Sequence, residues 1–192
     1  GEINFGNQTT GTGSIGDTTI TATGNNDVIT GYEWTNHGNI GNVTISVTGN
    51  SASGYLGMTA SGGTIGDVSI TMTGDDNHYG FDMSAGDWEG AGSGSSPAGA
   101  IGNITLTLTG DAGSFSGSAE VSGGDIGNVT VTIDGADNSA GLDLRAGFEY
   151  RDQTVFKSAF GGQEVVCILE RDKDAAASRY DYKLLATTRT ST

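Results

Sequence analysis

The chain has 192 residues, 34 of them glycine and one proline, with a formal net charge of −15 at pH 7. All eight lysines and arginines lie at or beyond Arg145, so residues 1–144 hold sixteen acidic side chains and no basic one. A segment of that charge repels phosphate, which excludes nucleic acid and anionic lipid as electrostatic partners, and no apolar run is long enough for membrane insertion.

Residues 1–14 form a lead segment. Ile3 and Phe5 share one parity there, which fits a short strand lidding the first repeat as well as it fits a frayed end. Residues 15–144 are a repeat array. Five copies read IGDTTITATG from Ile15, IGNVTISVTG from Ile40, IGDVSITMTG from Ile65, IGNITLTLTG from Ile101 and IGNVTVTIDG from Ile126. The period is 25 residues, with one step of 36. Such a period marks a solenoid, in which each repeat buries its apolar side only by stacking on its neighbours.

Within each copy the residues alternate, the pattern of a strand with one wet and one dry face. One parity is apolar, as in Val43, Ile45 and Val47. The other is hydroxylated: Thr19, Thr21 and Thr23; Thr44, Ser46 and Thr48; Ser69, Thr71 and Thr73; Thr105, Thr107 and Thr109; Thr130 and Thr132, with Asp134 the one departure. β-Branched Thr suits an exposed strand position. Rungs lie ~4.8 Å apart and alternate side chains ~6.7 Å apart along a strand, so in-register stacking predicts a regular, uncharged hydroxyl lattice on one wall.

Each copy closes on a glycine and a polar corner. Asp75, Asp76, Asp111 and Asp137 at these corners are candidate calcium ligands, calcium being the one cofactor the sequence suggests. Asp17, Asn42, Asp67, Asn103 and Asn128 recur two places after the Ile. Turn chemistry accounts for that column without a metal, because stacked Asn and Asp bond backbone and form a ladder. A weaker second strand comes next, carrying Leu56 and Met58, Phe81 and Met83, Phe115 and Ala119, and Leu142 and Leu144. Leu56, Phe81 and Leu142 fall sixteen residues after their Ile and are expected to stack. The first copy departs, with Val28, Ile29, Tyr32 and Trp34. The step of 36 carries eleven extra residues, Asp87 to Pro97, in a Gly/Ser-rich loop. Its Trp88 reads either as a platform for a sugar or partner, or as folded back on its own wall.

Beyond Arg145 the composition changes, and residues 145–192 read as a separate cap or docking module. Three strands are predicted, over 153–156, 164–169 and 180–186, with Gly161-Gly162 as a turn between the first two. Cys167, the only cysteine, fits the apolar pattern as a core residue and leaves no intrachain disulfide. Solenoid ends expose unpaired backbone and apolar side chains. Val155, Phe156, Val166 and Ile168, with Ile3, Phe5 and Trp88, are therefore candidate interface residues. The strings FGGQEVV and LLATTRTST resemble a small uncharacterised bacterial α+β family over about residues 147–192, a resemblance that implies no activity.

Chemistry is sparse. There is no phosphate loop, no Cys/His metal spacing and no nucleophile–base pattern. His37 and His78 stand isolated in polar loops. Glu33, Asp82 and Asp143 resemble the carboxylates that β-helical polysaccharide lyases and hydrolases spread along a wall. Such sites pair an acid and a base and usually add a basic side chain to hold developing charge, and the array has none. The Thr lattice resembles the threonine ladders of ice-binding β-solenoids, which would imply ice as the ligand of those fourteen positions. Asp134, the thin Ala22 beneath the face and the lack of disulfides depart from that pattern.

The sequence thus predicts an all-β parallel β-solenoid, right- or left-handed, of about five 25-residue coils with a small β-rich C-terminal cap. The expected role is that of a non-enzymatic extracellular or cell-surface structural protein, an end-to-end self-associating rod of a fibre or adhesin. The alternatives are ice binding by the Thr face and a glycan-binding module.

Overall fold

The structure, a computed structural model, describes residues 1–86, 99–146, 159–160 and 163–164. Its long strands fall into two sheets. The first contains β2 (Thr18–Thr23), β4 (Val43–Thr48), β7 (Val68–Thr73), β10 (Ile104–Thr109) and β12 (Val129–Asp134), in that spatial order. The second contains β1 (Glu2–Thr9), β3 (Val28–Thr35), β5 (Ser53–Ala60), β8 (His78–Ala85), β11 (Ser114–Val121) and β13 (Ser139–Ala146). Every pairing in both is parallel, and each coil gives one strand to each sheet. The molecule is a β-solenoid of about five turns, and no helix occurs among the described residues.

A third, short side closes the coil. Here β6 (Thr64–Ile65) pairs with β9 (Ala100–Ile101), and single bridges join Ile15 to Ile40, Ile40 to Ile65 and Ile101 to Ile126. The Ile that opens each repeat is therefore a corner column of the core, and Ile40, Ile65 and Ile101 are completely buried. From the second copy on, the glycine after it is required by the stack. A Cβ on Gly102 would lie 2.8 Å from the Gly66 carbonyl carbon and 2.5 Å from Asp67 Oδ1.

The core is one side chain deep on each wall. Val43, Ile45 and Val47 stack under Val68, Ile70 and Met72, then Ile104, Leu106 and Leu108. On the second sheet Leu56 pairs directly with Phe81 as expected, but Gly117 lies between Phe81 and Leu142. The whole column runs Phe5, Gly31, Leu56, Phe81, Gly117, Leu142. Its glycines make room for rings: a Cβ on Gly31 would fall 2.0 Å from Phe5 Cζ, and one on Gly117 2.7 Å from Phe81 Cγ.

The predicted Asn/Asp ladder is present. Each side-chain oxygen of Asp17, Asn42, Asp67 and Asn103 accepts the backbone N–H one coil on, at 2.7–3.0 Å. Both residue types appear because only an acceptor is needed. Each fully buried Ile or Leu contributes ~1.5–3 kcal/mol, against ~0.5–1.5 for a typical hydrogen bond. The apolar columns thus supply the stability, and the ladders fix the register.

The eleven extra residues lie between β8 and β9, and 87–98, with Trp88, are outside the described residues. Pairing of β8 with β11 resumes in register across them. In the C-terminal segment, β14 (Ala159–Phe160) and β15 (Gln163–Glu164) pair antiparallel, and β14 lies beside β12; the predicted Gly161-Gly162 turn is outside the described residues. Val155, Phe156, Val166, Cys167 and Ile168 are outside the described residues.

Candidate functional site

The two sheets present different chemistry to solvent. On the first, strand pairing aligns Thr19, Thr44, Ser69, Thr105 and Thr130 in one column and Thr21, Ser46, Thr71, Thr107 and Thr132 in the next. Thr23, Thr48, Thr73, Thr109 and Asp134 form the third. None of the fifteen is buried. The face is a three-by-five array with charge only at Asp134.

The candidate calcium ligands sit in corners held by backbone. Asp76 and Asp137 occupy the left-handed position with Asn26, Ser51 and Ala112, at φ of 56–59°. Asp75 Oδ1 accepts the Asp111 N–H at 3.0 Å, and Asp111 Oδ1 accepts the Ala136 N–H at 2.7 Å. Among the described residues no three His, Cys, Asp or Glu side chains gather as a metal site.

Ile3 and Phe5 lie on β1, partly buried, with the Phe5 ring lying over Gly31. Glu33 corrects an expectation. It is not a wall carboxylate but lies in the interior, in the column of Asn7, Met58, Met83, Ala119 and Leu144. Its Oε1 accepts from the Thr18 hydroxyl at 2.5 Å and from Asn7 Nδ2 at 3.2 Å, while Oε2 has no partner among the described residues.

The outer face of the second sheet gathers what the sequence left scattered. Tyr32 and Tyr55 are 52% and 42% exposed. The Tyr32 ring lies against Gly57, where a Cβ would sit 3.0 Å from Cδ2, and the Tyr55 ring against Gly80 at 3.2 Å. The Tyr55 hydroxyl donates to Asp82 Oδ2 at 2.5 Å and the Ser118 hydroxyl to Asp82 Oδ1 at 2.6 Å. These two bonds, Ser118 first, hold the Asp82 carboxyl below its ordinary value. The bond to Asp82, with some burial, pushes the Tyr55 phenol up to about 12. Together with Glu120 these residues surround a shallow depression of about 250 Å³.

On the same face His78 is not isolated. Its Nδ1 lies 2.7 Å from Ser114 Oγ and its Nε2 3.1 Å from Asp76 Oδ1. The Asp76 side chain is 60% exposed. The Gly113 N–H is bonded to Asn138 Oδ1 and the Ser114 N–H to Asn77 O, so neither is free to hold an oxyanion. Asp76 and His78 are two residues apart in the chain, and the register of β8 on β11, across the 36-residue step, adds Ser114.

Fold and faces define the class: a parallel β-solenoid repeat protein with one hydroxyl wall and one aromatic–acidic wall. Comparison with known protein families, with curated proteins and with solved structures finds no match.

Proposed function

We propose that this solenoid is a non-enzymatic, extracellular structural protein, a self-associating rod of a fibre or surface adhesin. The observation that carries the reading is the unequal state of its two ends. The first sheet stops at β2 while the second runs on to β1, and Ile20 is only half-buried where Ile45 and Ile70 are completely so. At the other end Val131 and Ile133 stay 2% exposed. An open edge of parallel strands accepts a further rung, and side walls of net negative charge resist sideways clumping. Growth is then head to tail, a heterologous contact that does not close. Val155, Phe156, Val166 and Ile168 belong to the segment that carries all the chain's bases, and in this reading they dock on the β1–β2 end of the next copy. Light scattering and negative-stain imaging across a concentration series test it. Filaments or end-to-end oligomers are expected, and a strict monomer at high concentration refutes it.

The Thr array favours a second reading, ice binding, because fourteen hydroxyls stand in register on a lattice set by strand spacing. Thermal hysteresis and crystal shaping decide it. Thr107→Tyr in the central column should abolish both.

A further inference from the structure

We propose that the depression on the second sheet, between Tyr32 and Tyr55 on one side and Asp82, Ser118 and Glu120 on the other, binds a neutral glycan chain. The adhesin reading gives this binding its biological use, but its chemistry stands on the residues that form the depression.

Three features fit a sugar. The first is a pair of rings on neighbouring coils, each about half exposed and each seated against a glycine. A pyranose presents an apolar C–H face, and an aromatic ring already held in place stacks on it with little loss of side-chain freedom. Tyr32 stands opposite Gly57 and Tyr55 opposite Thr30, so the rings are one coil and two residues apart, ~8 Å on the diagonal, and both can lie along one extended oligosaccharide.

The second is a fixed acceptor. Asp82 is oriented by the Tyr55 and Ser118 hydroxyls, one on each oxygen. A carboxylate has about four acceptor positions, and the two hydroxyls with the Ser118 N–H leave at least one for a sugar hydroxyl. Because the ligand need not reorganise the group, hydrogen bonds to it are strong.

The third is charge. Asp82 and Glu120 face the depression, and residues 1–144 contain no Lys or Arg. The nearest base, Arg145, stands opposite Glu120 and is already paired with Asp143, so uronate, sulfated or sialylated chains would meet a net negative surface. A basic peptide would be attracted, but its binding would weaken steeply as salt rises, whereas that of a neutral sugar would not.

The test is isothermal titration of the full chain with neutral β-1,4-linked hexasaccharides of glucose, xylose and N-acetylglucosamine, and with an oligogalacturonate. At least one neutral chain should bind, unchanged by salt, and the oligogalacturonate should bind at least about tenfold more weakly. Tyr55→Ala and Asp82→Asn should each weaken binding about tenfold. Both side chains are outward, and circular dichroism confirms that the variants keep the sheet. Thr107→Tyr on the opposite wall should leave binding intact. No heat with any neutral chain, equal binding of the anionic one, or wild-type affinity in both variants overturns the proposal. A Kd for a basic peptide that collapses with salt, with no sugar binding, assigns the groove to a different ligand and also overturns it. Filament formation is scored separately, so loss of either reading leaves the other standing.

Discussion

Asn77→Ala probes a corner amide buried completely in the third coil. In the native corner Asn77 Oδ1 accepts the Ala52 N–H at 2.8 Å, and Nδ2 donates to Gly49 O and Gly74 O, both at 2.9 Å. Truncation leaves a buried donor without its acceptor, worth ~1–3 kcal/mol, and two half-buried carbonyls at about 0.5 kcal/mol each, because water reaches them. The expected loss is ~2–4 kcal/mol. Asn50→Ala is the control. It removes one exposed bond, Asn50 Oδ1 to the Asp75 N–H at 3.0 Å, and should cost under ~1 kcal/mol. Urea denaturation followed by circular dichroism measures both, with an unchanged slope showing that the unfolded state is the same. Asn77→Asp keeps the acceptor, loses both donors and turns a carboxylate toward two carbonyl oxygens. It should be at least as costly as Ala at neutral pH and recover in acid. An Asn77→Ala midpoint no lower than that of Asn50→Ala would refute the reasoning.

Other changes read different links of the same chain. Gly102→Ala places a Cβ 2.5 Å from Asp67 Oδ1 and should cost about 3 kcal/mol, whereas Gly141→Ala meets nothing within 4 Å and should be neutral or slightly stabilising in the same urea assay. Tyr79 Oη and Glu33 Oε2 are buried without a partner among the described residues. Tyr79→Phe should raise stability by ~1 kcal/mol, and a loss would place an unseen partner there; Glu33→Met, matching Met58 and Met83 in its column, also takes the acceptor from Thr18 and Asn7, so its gain should be smaller. Tyr55 should titrate late, near 12, in an ultraviolet phenolate titration, and Asp82→Asn should return it toward the ordinary value. Its raised pKa gives stability that is complete below ~10 and lost as pH climbs through 12. Asp82, held low, gives stability present above ~3.9 and lost as pH falls below it.

Most of the fold was legible because stacking converts sequence period into space. Residues 25 apart become neighbours, so the parity of Thr44, Ser46 and Thr48 already names the outward columns. The same rule carries further than the expectation for Glu33. It lies eighteen residues after its Ile, the offset of Met58, and that parity points inward. The expectation grouped it with Asp82 and Asp143, which sit one residue earlier and face out. The Asn/Asp ladder was readable for the same reason. The role of the repeat-opening Ile was not, since a column of single bridges leaves no run of alternation behind it.

The amino-acid order by itself determined the coil, its dry and wet parities and the hydroxyl columns, because each depends on one repeat lying in register on the next. Tertiary structure alone decided the diagonal contacts. Tyr55 reaches Asp82 by crossing columns, and no period in the sequence relates them, whereas His78 and Ser114 each lie thirteen residues after their Ile and share one column. Chain periodicity specifies who stacks on whom; side-chain length and glycine clearance decide who leans across.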